Sequence, residues 1–105
     1  MGHRSVAVRM FQDIVNERGD SLRKLTFQHL KQLVEPTELI TVGNRKGKIS
    51  IIVNQLPSGG ILVVVQGFLK QRFLPMVWSV TLDGFYKYPD GTMAPMTRED
   101  MYSFD

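Results

Sequence analysis

Between Lys48 and Tyr88 three strand-like runs follow one another, with turn signals between them and no helical segment intervening. Runs joined only by short reversals pair antiparallel, because parallel neighbours need a crossover of a dozen or more residues. The stretch therefore identifies an antiparallel sheet. A short strand over Leu39 to Val42 precedes it, and Asn44-Arg45-Lys46-Gly47 reads as the hairpin turn into Ile49 to Val53. Leu56-Pro57-Ser58-Gly59-Gly60 makes the next reversal, since proline presets one backbone angle and glycine accepts positive φ.

In the third run Ile61, Val63 and Val65 point to one face, and Leu62 and Val64 to the other. A strand apolar on both sides belongs at the centre of a sheet covered on both faces. In the fourth run Met76, Trp78, Val80 and Leu82 alternate with Val77, Ser79, Thr81 and Asp83. That alternation predicts a core face carrying Trp78 and a wetter face carrying Asp83. Gly84 is expected to bend or bulge this strand before Phe85-Tyr86-Lys87-Tyr88, and Pro89-Asp90-Gly91 to end it in a turn.

Before residue 38 the apolar period is helical. Val6, Met10, Phe11, Ile14 and Val15 stripe a first helix capped by Ser5 and ending near Gly19. Asp20 and Ser21 then cap a second helix, striped by Leu22, Leu25, Leu30, Leu33 and Val34, which Pro36 must stop. Near the C-terminus Thr97, followed three residues on by Asp100, resembles a capping box. It opens a helical turn whose Met101, Tyr102 and Phe104 are expected to fold back over an edge of the core. The expected architecture is a single α+β domain over residues 1–105: two N-terminal helices packed on a four-stranded antiparallel meander, with a short C-terminal helical turn.

Composition narrows the function classes. The absence of cysteine excludes disulfides, thiolate nucleophiles and cysteine-ligated metal, and Met1-Gly2-His3-Arg4-Ser5 lacks a secretory h-region. A cytoplasmic location is expected. The apolar window Ile61 to Val65 is too short and too interrupted to span a bilayer. His3 and His29 have no partners at metal-ligand spacing, the glycine pairs lack the context of a phosphate-binding loop, and no nucleophile, base and acid fall into a recognisable arrangement. The reading is of a non-enzymatic binding protein with no catalytic residue, metal or cofactor.

Charge supplies the candidate site. Residues 1–48 hold nine Lys and Arg against five Asp and Glu, residues 49–105 four against five, and no acid falls between 39 and 82. In a simple meander the turns at 44–47 and 71–75 lie at the same end of the sheet, about 10 Å apart. Arg45, Lys46, Lys48, Lys70 and Arg72 would form one basic rim there, with Phe73 as a stacking platform. The expected ligand is single-stranded nucleic acid or another polyanion. Arg23, Lys24 and Lys31 also give the helix pair a helix-turn-helix outline. The alternative is a protein-interaction module, a regulatory subunit or inhibitor, that offers an acidic protein or a second copy of the chain its apolar sheet face or its C-terminal tail. Leu62, Val64 and Ile52 would form the homodimer face.

Overall fold

Ile61 to Val65 are buried without interruption, which a strand achieves only when both faces of its sheet are covered. They belong to β3 (Ile61–Lys70), the centre of a five-stranded antiparallel sheet in which every strand pairs with its neighbour in the chain. In the computed structural model, which describes residues 6–70, 78–97, 99 and 100, the other strands are β1 (Thr37–Val42), β2 (Arg45–Gln55), β4 (Trp78–Lys87) and β5 (Met93–Pro95).

The meander thus has one strand more than the four expected. Lys87 lies opposite Met93 and Phe85 opposite Pro95. The turn between them is tied by Tyr88 N–H to the Thr92 carbonyl and Gly91 N–H to the Tyr88 carbonyl, both 2.9 Å. The Asp90 carboxylate accepts from the Thr92 N–H at 2.9 Å and hydroxyl at 2.7 Å. Three strand residues are too few to show a period of two, so sequence patterning passes over β5. The first hairpin is also tighter than expected. Val42 faces Arg45 across a Gly43-Asn44 loop, with Gly43 at φ 63°, a conformation two-residue hairpin loops require and glycine accepts. Arg45, Lys46 and Lys48 are consequently strand residues.

Helix placement departs further from expectation. α1 (Val6–Arg23) runs straight through Gly19, and α2 is only Phe27–Lys31. Gly19 is buried where a Cβ would collide with the Asp83 carboxylate, so glycine there permits close approach to β4 rather than ending the helix. The helix closes later, where Lys24 and Leu25 N–H groups donate to the Ser21 and Leu22 carbonyls at 3.3 and 3.0 Å, a tightened last turn. Thr26 then caps α2, its side chain accepting from His29 N–H at 3.1 Å. A helix of five residues is too short to lie along a major groove, so the helix-turn-helix outline does not hold.

α1 lies across β3 and β4 and touches β1. Phe11 sits in a hollow made by two glycines: a Cβ at Gly67 would come within 2.7 Å of Phe11 Cε2, and one at Gly47 within 3.0 Å of Phe11 Cε1. Around it Val15, Leu30, Ile49, Val63, Val65, Leu69 and Phe85 form the main core. Leu62 and Val64 occupy the other face, as the sequence predicts, in a smaller cluster with Met96. Met96 follows β5 and packs over Gly84, so the chain itself covers this part of the second face. The Thr97 hydroxyl accepts from Asp100 N–H at 3.2 Å, with Glu99 and Asp100 helical, as the expected C-terminal turn requires. Met101, Tyr102 and Phe104 lie outside the described residues.

The expected orientation of β4 is reversed. Thr81 and Phe85 are buried, whereas Trp78 and Val80 are each 43% exposed, so Trp78 is not a core residue. The cause is Arg23 at the end of α1. Its guanidinium donates to both Asp83 carboxylate oxygens at 2.8 and 2.9 Å and to the Gly84 carbonyl at 3.2 Å, and lies 5.0 Å from the Phe85 ring centroid. A bidentate charge-assisted pair satisfies the carboxylate under the helix, so the more polar side of β4 turns inward.

Candidate nucleic-acid interface

Alternation along each strand sends successive side chains to opposite faces. The odd positions of β2, β3 and β4 carry the core against α1, and the even positions form the second face. Register then assembles the site. Leu39, Lys48, Phe68 and Val80 make one row across β1 to β4, and Lys70 faces Trp78 in the adjoining row. Lys46 and Lys70 flank the Gly47–Leu69 pair on neighbouring strands. Lys46, Lys48, Lys70, Phe68 and Trp78 therefore gather at one end of the second face.

The geometry there is open and cationic. Lys48 Nζ lies 5.2 Å from the Phe68 ring centroid, an attraction of a cation for the ring's negative face. Lys48, Phe68 and Trp78 line a pocket of ≈ 220 Å³. No Asp or Glu occupies a strand position on this face. The acids in β1 and β4 sit on the helix side, and both are engaged. Asp83 holds Arg23, whose pKa is raised chiefly by that hydrogen bond. Glu38 accepts two hydrogen bonds from Arg18 at 3.0 Å, which push its pKa below the usual carboxylate value.

The structure divides the predicted rim. Lys46, Lys48 and Lys70 are brought together on one surface. Arg45 lies on the helix side, where its Nε donates to the Lys70 carbonyl at 2.8 Å and ties the start of β2 to the end of β3. Arg72 and Phe73 lie outside the described residues. Two aromatics on this surface, Phe68 and Trp78, are not legible as such in the sequence. Phe68 passes in sequence for the tail of an apolar window, although Gln66 and Lys70 on its own side mark a solvated face. Trp78 reads as a core residue in sequence because Met76, Val80 and Leu82 are more apolar than Thr81 and Asp83, and only the Arg23–Asp83 pair reverses that inference.

Among the described residues no three His, Asp or Glu side chains gather where they could hold a metal ion, and no helix is long and apolar enough to cross a membrane. No family model matches the chain, and neither a curated protein nor a solved structure is detectably similar to it.

Proposed function

We propose that the chain is a binding protein that engages nucleic acid, as a polyanion, through the open end of the sheet face away from α1. The observation that carries this reading is the grouping of Lys46, Lys48 and Lys70 with Phe68 and Trp78 on a face whose strand positions hold no acid. Lysines kept together without counter-charge repel one another, and a phosphate backbone relieves that repulsion while releasing its own counterions. Rings between the cations, Trp78 exposed and Phe68 half-buried, give the bases something to lie against. Titration of a labelled single-stranded oligonucleotide by fluorescence anisotropy is the test. Binding at low salt should weaken with a log–log slope of roughly −2, for three phosphate contacts on a single strand. Replacing Lys46, Lys48 and Lys70 together by Gln should abolish it. No association at low salt would sink the reading.

Leu39, 81% exposed, and Val80 extend the same face with apolar surface, which favours as second reading a docking surface for an acidic protein or a second copy of the chain. Sedimentation separates the two. A dimer that persists when Leu39 and Val80 are intact, and dissociates when both become Ser, would assign the face to a second copy.

A further inference from the structure

Resting on the nucleic-acid reading, we infer that the pocket lined by Lys48, Phe68 and Trp78 takes one unpaired nucleobase between its two rings. Phe68 faces Val80 and Trp78 faces Lys70, so the rings stand diagonally on neighbouring strands. Diagonal positions are about 7–8 Å apart at the backbone, close to two stacking intervals of about 3.4 Å. One flat ring fits between them. At ≈ 220 Å³ the pocket is smaller than the roughly 300–1,000 Å³ of sites for drug-sized ligands, which suits a single ring system.

The base must be unpaired because a duplex hides its base faces inside its own stack and offers a sheet only phosphates and groove edges. In the free protein the Lys48 ammonium occupies the Phe68 face at 5.2 Å. A cation over an exposed ring is worth roughly 2- to 5-fold in an equilibrium, and a base stacked on an aromatic side chain roughly 5- to 150-fold. The base therefore displaces the ammonium, which turns on its flexible stem to the adjacent phosphate. Lys46 and Lys70 hold the flanking phosphates, and the lysines at the pocket's edge contribute affinity without reading sequence.

Trp78 is the only tryptophan in the chain, so its emission reports on the pocket directly. The full chain is titrated with single-stranded oligothymidylate, with the same strand paired to oligoadenylate, and with inorganic polyphosphate. The single strand should bind and quench Trp78, while duplex and polyphosphate bind more weakly and leave emission unchanged. F68L, which keeps apolar bulk but removes the ring, should weaken single-strand binding roughly 5- to 150-fold without altering the salt slope. K48Q should lower the magnitude of that slope by about 0.7. By anisotropy, W78F should retain binding that W78L loses. Equal affinity for duplex and single strand with unchanged Trp78 emission would overturn the base pocket and leave a phosphate-binding surface. Failure of all three probes to bind would overturn the nucleic-acid reading as well.

Discussion

Gly67 shows how a single missing side chain shapes this protein. It lies on the helix-facing side of the central strand, where β-branched residues dominate, and glycine there weakens a strand unless something needs the space. Phe11 needs it. A Cβ at Gly67 would lie 2.7 Å from Phe11 Cε2 and 2.8 Å from Val15 Cγ2, below ordinary contact distance, and both neighbours are fully buried. G67A is expected to destabilise the fold by about 1–3 kcal/mol through overpacking, measured by urea unfolding. An unchanged midpoint would show that α1 can lift from the sheet without loss. Gly19 obeys the same logic on the helix side, where the Asp83 carboxylate fills the space a Cβ would take. Glu35 is the contrasting case: a non-glycine residue at φ 45°, held there while its carboxylate accepts from Val53 N–H at 3.2 Å, just beyond the residues that β1 pairs.

At the scale of elements, α1 is bound to the sheet by apolar packing at its middle and by charge at two points. Arg23 grips β4 through Asp83, and Arg18 grips β1 through Glu38. The second pair gives a pH dependence whose sign follows from the direction of the shift. Glu38 is held below the usual carboxylate value by the hydrogen bond from Arg18. Its contribution is therefore complete above the unfolded value, about 4.3, and is lost as pH falls through the lower folded value. Both side chains are more than a third exposed, at 37% and 48%, so solvent screening keeps the contribution below about 1 kcal/mol. E38Q should be slightly less stable than the parent at neutral pH, with the difference closing in acid, as read from urea midpoints across the pH range. A difference that does not narrow at all as the pH falls below the unfolded value would contradict the assignment.

At the scale of the whole molecule, the second sheet face is divided between two fates. Its lower part, Leu62 and Val64, is covered by Met96, 8% exposed, and its upper part carries Lys46, Lys48 and Trp78 exposed with Phe68 and Lys70 half-buried. M96A is expected to cost about 2–5 kcal/mol and to promote self-association as Leu62 and Val64 lose their cover. Thermal melts and sedimentation at micromolar concentration check both. A variant as stable and as monomeric as the parent would show that Met96 covers nothing essential. From sequence alone, periodicity and turn chemistry determined the antiparallel meander, the central place of β3 and the two faces of its side chains, because these depend on neighbours one to four residues apart. The same-end grouping of Lys46, Lys48 and Lys70 was legible too, since a meander without crossovers leaves no other arrangement. What only the tertiary structure decided was the path of α1 through Gly19, the inward side of β4, the added strand β5 and the exposure of Trp78. β5 is too short to show a period of two, while the others depend on partners far along the chain, Asp83 for Gly19 and Arg23 for Asp83, and hydrophobic alternation cannot weigh a part-buried carboxylate before the arginine that satisfies it is known.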